Sequence, residues 1–139
     1  MRAPNTRLAL HQIALSALVA VFVLAGLSFE AHAASITGNW RGAGVVNLKS
    51  GGKEKVRCTV TYGRAGGQNF SVDARCASGA GRVDQTGVLT RKSNSRYVGT
   101  VRNAQYSVTA TVTVKVNGKK QTVHISSSEG TANLQLTRR

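Results

Sequence analysis

The sequence predicts an all-β fold: an eight-stranded antiparallel up-and-down meander barrel with one disulfide, behind an N-terminal signal peptide. Three observations carry this. From Ile36 onward apolar residues recur with period two, the spacing of half-buried strands. Glycine-rich turns break that alternation roughly every ten residues. The single proline is Pro4, so nothing beyond it obstructs strand pairing.

The leader is set apart from the fold. Arg2 and Arg7 make a positive n-region, Ile13 to Leu27 form an apolar run broken by Ser16 and Gly26, and Ala31-His32-Ala33 has the small-x-small pattern of a cleavage site. A membrane anchor would need about 20 apolar residues, more than this run supplies. The expected organisation is a signal peptide at 1–33 and a single β-barrel domain at 34–139, periplasmic or secreted. No cysteine precedes Cys58, so no thiol for a lipid anchor lies near the cleavage site.

The first strand runs from Ile36 to Leu48, with Trp40, Gly42, Gly44, Val46 and Leu48 on one face. Its two inward glycines allow a sharp bend or a close backbone approach. Strands two and three form a hairpin about Gly66-Gly67. Folding there sets Tyr62 against Val72, Val60 against Ala74 and Cys58 against Cys76, with every apolar residue on one side. Two cysteines in an exported chain point to a disulfide. The fourth strand, about Arg82 to Thr90, and the fifth, Arg96 to Arg102, carry Leu89, Tyr97 and Val101 inward. The clearest strand spans Tyr106 to Val116, and Asn117-Gly118 predicts a type I′ turn that sets Val112 against Val123 and Ala110 against Ile125. The last strand, Thr131 to Thr137, puts Ala132, Leu134 and Leu136 inward. A two-sheet sandwich is the alternative, but it usually needs longer crossovers than these short turns.

Charge dominates the composition. With 19 Lys and Arg against 5 Asp and Glu, the chain carries a formal net charge of +14, and loss of Arg2, Arg7 and Glu30 with the leader lowers it by only one. Such a field attracts anionic partners at low salt. Arg41, Lys49, Arg57 and Arg75 occupy outward positions on or beside strands one to three, placed to meet an anionic envelope component or an acidic protein. Nucleic acid fits less well. Trp40, Tyr62, Phe70, Tyr97 and Tyr106 all fall on inward positions, which leaves no platform for base stacking.

No pattern of catalysis emerges. His124 lies on the polar face of strand seven, and nothing matches a nucleophile elbow. Asp73 sits on the polar face of strand three beside Arg75, an ordinary surface charge pair. With Cys58 and Cys76 bridged, His124 is the one nitrogen ligand left after the leader, too few for a structural metal. The expectation is a chain that is not an enzyme and uses no metal or cofactor.

Gly38-Asn39-Trp40, entering a glycine-rich first strand of an eight-stranded meander, resembles the calycin group: the lipocalin, avidin, fatty-acid-binding and bacterial protease-inhibitor barrels. The resemblance implies that Trp40 packs at the closed end of a barrel against a basic residue from the last strand, here Arg138 or Arg139. Three readings follow. The first is an exported binding protein of the bacterial-type envelope acting through its basic surface. The second is an inhibitor of an exported protease, for which Ala34 to Asn39 is a short inserting segment. The third is a carrier of a small apolar ligand, with Trp40, Gly42, Gly44 and Tyr97 either lining the lumen or simply filling it.

Overall fold

The period-two pattern becomes eight strands: β1 Gly38–Leu48, β2 Lys53–Arg64, β3 Asn69–Ser78, β4 Gly81–Arg91, β5 Arg96–Asn103, β6 Val108–Asn117, β7 Lys120–Ser127 and β8 Gly130–Arg138. The computed structural model describes residues 35–139, so the expected signal peptide and the start of the domain at Ala34 lie outside the described residues. Each strand pairs antiparallel with the next, and β8 returns to β1, giving a closed barrel in the order β1 to β8. Closure satisfies both edges that an open meander would expose.

The inward series of each strand is buried. Val56, Cys58, Val60 and Tyr62 of β2 lie beside Phe70, Val72 and Ala74 of β3, and Val112, Val114 and Val116 of β6 lie beside Val123 of β7, all buried. The outward series is polar, with Val45, Val88 and Tyr106 the exposed large hydrophobic residues among those described. A lipid-facing barrel shows the opposite pattern, an apolar outer band. Among the described residues no helix is long and apolar enough to cross a membrane.

The seam between β1 and β8 depends on glycine. A Cβ at Gly42 would fall 1.9 Å from the Gln135 carbonyl oxygen, and one at Gly44 would fall 2.0 Å from that of Asn133. Of the two roles open to the inward glycines of the first strand, the close backbone approach is the one seen at this seam.

The β2–β3 hairpin has the register its sequence predicts. Cys58 opposes Cys76 and they are joined by a disulfide, while Gly66 and Gly67 both take positive φ in the turn. The β6–β7 hairpin differs. Val112 pairs with Ile125 and Val114 with Val123, so the register is shifted by two residues from the expected one. Asn117 is not in the two-residue loop but pairs with Lys120. Gly118 alone takes positive φ, at 59°, which fits a type II′ turn over Gly118-Lys119 in place of type I′. Because the shift is even, every inward residue stays inward.

The disulfide closes a loop with a sequence separation of 18 residues. Its removal by Cys58→Ala with Cys76→Ala should lower stability by about 3 kcal/mol, the entropy of that loop in the unfolded chain. The check is urea unfolding of the double variant beside the oxidised protein. Equal midpoints would show that the bridge adds nothing to the folded state.

Candidate functional site

The two ends of the barrel are unlike. One end carries the β2–β3, β4–β5 and β6–β7 turns together with both terminal segments of the described chain, and it is filled. Trp40 is 1% exposed, and its indole Nε1 donates to the Ile36 carbonyl at 2.8 Å. The Arg138 guanidinium lies 4.4 Å from the indole centroid and donates to the carbonyls of Thr37 and Ser35. Of the two basic residues the sequence offered for this role, Arg138 fills it. Ser35 to Thr37 are thereby held over the barrel end and do not form a loose arm.

Behind Trp40 the interior is packed with Tyr62, Phe70, Leu89, Tyr97 and Leu136. Phe70 and Tyr97 meet edge to face at 5.2 Å. The Tyr62 hydroxyl donates to Gln121 Oε1 at 3.0 Å, and burial pushes its pKa well above the ordinary phenol value, so it remains a donor. Gln121 is itself 2% exposed, with no hydrogen-bond partner at Nε2.

The other end is hollow. A cavity of about 570 Å³ opens among the β1–β2, β3–β4, β5–β6 and β7–β8 turns. Its walls are short and mostly apolar, including Val46, Val56, Val101, Ala110, Ile125 and the Cys58–Cys76 bridge. Its polar side chains include Glu54, Ser78, Gln85, Asn103 and Glu129. Trp40, Gly42, Gly44 and Tyr97 do not border it. The first and last belong to the packed end, and the two glycines serve the seam. The sequence pattern assigns a residue to the inside of the barrel but not to a height along its axis.

Asn103 and Tyr106 are among the residues of this site that the sequence reading missed, together with Glu54 and Glu129. Asn103 is 4% exposed; its Nδ2 donates to the Asp84 carbonyl at 2.9 Å and its Oδ1 accepts from the Tyr106 amide at 2.8 Å. That pair braces the β5–β6 turn and holds Tyr106 at the cavity mouth, 61% exposed. The expectation that Tyr106 starts a strand and faces the core is corrected: β6 begins at Val108, after Ser107 at φ 53°.

A second concavity lies on the outer wall, bordered by Arg41, Arg57, Arg75 and Arg82 around Ala43, Thr59 and Ala77. Arg41, Thr59 and Arg75 form one row across β1 to β3, and Ala43, Arg57, Ala77 and Arg82 the next row across β1 to β4. Three of the four basic residues singled out from the sequence therefore come together with Arg82, while Lys49 stands apart in the β1–β2 turn. Arg75 pairs with Asp84 at 2.8 Å, not with Asp73, because β4 sets Asp84 directly opposite it. The contact holds the Asp84 carboxyl below its usual range and raises Arg75. His124 is exposed and bonds Asn133 at 2.8 Å, and no group of three His, Cys, Asp or Glu among the described residues is placed to hold a metal.

The closed eight-stranded meander, with Trp40 capped by Arg138 of the last strand, is the arrangement that the resemblance to the calycin barrels implied. Solved structures agree at the level of the fold. The redesigned β-barrel mFAP1 bound to DFHBI is similar with a TM-score of 0.61 at 12% identity, over 74% of this chain and 94% of that one. A de novo designed fluorescence-activating β-barrel has a TM-score of 0.58 at 17% identity, over 74% and 93%. No family model matches the sequence, and no curated protein matches it.

Arg138 should be a costly polar truncation at the packed end. Arg138→Ala removes a guanidinium bonded to two carbonyls and stacked on Trp40, for an expected loss of about 2–3 kcal/mol. Arg138→Lys should recover little, since an ammonium lacks the planar fork. Urea unfolding followed by Trp40 fluorescence reads both; an Ala variant as stable as the parent would remove Arg138 from its role as the cap.

Proposed function

We propose that the protein is a non-enzymatic, exported carrier that takes a small, largely apolar molecule into the open half of its barrel. The cavity carries this reading. Its volume of about 570 Å³ lies within the range of small-molecule sites, and its apolar walls with a few polar groups match their usual lining. The similar barrel mFAP1 is a DFHBI-bound structure, which supports the capacity of this architecture for a ligand. The Cys58–Cys76 bridge supports an oxidising compartment, periplasmic or extracellular.

The arginine concavity favours a second reading, close to the first one drawn from the sequence. Four guanidinium groups on neighbouring strands suit the phosphates or carboxylates of an anionic envelope component. The two readings are compatible in one molecule, because one site is inside the barrel and the other is on its wall.

Each has its own test. Ala110→Trp places an indole into the open half, and should cut binding of the neutral dye N-phenyl-1-naphthylamine at least about tenfold while circular dichroism stays that of a β-barrel. Unchanged dye binding would put the ligand outside the lumen. For the wall, joint replacement of Arg41, Arg57 and Arg82 by Gln should weaken association with phosphatidylglycerol vesicles by on the order of tenfold or more at low salt. Association that ignores both the substitutions and added salt would dispose of the second reading.

A further inference from the structure

The interior and exterior of this barrel differ in the sign of their charge. Nearly four basic residues accompany each acid in the chain, yet none of the residues bordering the cavity is Lys or Arg. The charged residues that do border it are Glu54 and Glu129. This inversion accompanies a cavity large enough for a ligand, and it bears on which ligand the cavity accepts.

Glu54, the second residue of β2, takes an inward position opposite Val46 and is half-buried. Its Oε2 accepts from Ser78 Oγ at 3.2 Å. Glu129 stands at the rim in the β7–β8 turn, where its Oε1 accepts from Ser128 Oγ at 3.3 Å. Neither carboxylate is in an ion pair, the ion pair among the described residues being Arg75–Asp84 on the outer wall. Lys49 and Lys53 flank the same end: Lys49 donates its backbone amide to the Glu129 carbonyl, and Lys53 starts β2 on an outward position. An ionised carboxylate can accept several hydrogen bonds, so each has acceptor capacity beyond one serine. A half-buried carboxylate against apolar walls gains most from a cation or N–H donor that restores what it has lost in hydration. A ligand carboxylate in the same position would meet like charge where screening by water is weakest. The basic exterior acts at longer range, and salt at physiological strength reduces that term beyond about 8 Å.

We infer that the lumen selects a ligand with an apolar body and a cationic amine head, the body against Val56, Val101 and Ala110 and the head at Glu54 and Glu129, and that it discriminates against the carboxylate-headed counterpart. This rests on the carrier reading above. It runs against the expectation from net charge, which favours anions everywhere.

Three ligands of one chain length separate the two claims: decylamine, decanol and decanoate, each competing with N-phenyl-1-naphthylamine in about 0.15 M salt. Decylamine should bind at least about tenfold more tightly than decanoate, with decanol between them. Glu54→Gln keeps the size and the Ser78 contact, and should shrink the amine-to-acid ratio to about threefold or less while leaving decanol unchanged. Glu129→Gln, at the more exposed rim, should have the smaller effect. If decanoate binds as well as decylamine, or the ratio is unmoved in both variants, the charge selectivity is overturned while the carrier reading stands. If neither the dye nor any of the three binds, the carrier reading falls and the selectivity with it.

Discussion

Closure of β1 onto β8 is the constraint on which the rest of the barrel depends. It asks for backbones so close that Gly42 and Gly44 leave no space for a Cβ, and it brings Trp40 of the first strand opposite Arg138 of the last. An even number of strands in a closed meander sends alternate connections to opposite ends. The terminal segments must then lie together at one end, where Ile36, Trp40 and Arg138 knit them into a plug. The other end receives only turns. The asymmetry that leaves a cavity there begins with the strand count and the seam.

Side-chain volume completes it. The packed half holds one tryptophan, two tyrosines and a phenylalanine, with leucines between them, and these fill an eight-stranded lumen. Toward the other end the aromatic residues give way to shorter inward side chains, such as Val46, Val56, Val83, Val101, Ala110, Ala132 and the Cys58–Cys76 bridge, which leave the axis open. Burial of Gln121 against Tyr62 within the packed half is a local cost, since its Nε2 has no partner. The disulfide sits at the transition: Cys58 belongs to the core, and both half-cystines border the cavity wall.

Much of this was legible in the chain, for identifiable reasons. Period two gave the inward set of every strand, and the mirror placement of Cys58 and Cys76 about Gly66-Gly67 gave a register. The β6–β7 register was missed by two residues because Gly118 can serve as the second residue of an Asn117-Gly118 turn or as the first of a Gly118-Lys119 turn, and an even slip costs the pattern nothing. Tyr106 kept the inward parity of Val108 but lies beyond the end of the sheet, where parity no longer means burial. Asp84 rather than Asp73 meets Arg75 because the contact crosses from β3 to β4, a pairing that the turn at Ser78 to Gly81 fixes and that side-chain pattern within one hairpin does not. Height along the axis was the largest omission. Alternation left open whether Trp40 and Tyr97 line the lumen or fill it; they fill it, at the end that closure had to seal.

The same geometry explains how one chain carries opposite charges on its two surfaces without mutual cancellation. Adjacent residues on a strand point to opposite sides of the sheet, so Glu54 and Lys55 are neighbours in sequence yet face the lumen and the solvent respectively. Arg41, Arg57 and Arg82 all occupy outward parity, and the cavity therefore never meets them. Outer charge governs what approaches the protein over a Debye length, whereas in the proposed carrier the two carboxylates would govern what stays once water has been displaced. The proposed carrier would then associate with an anionic surface through its wall while its interior favours the opposite sign. That separation needs only a barrel wall one sheet thick and the alternation of a β-strand.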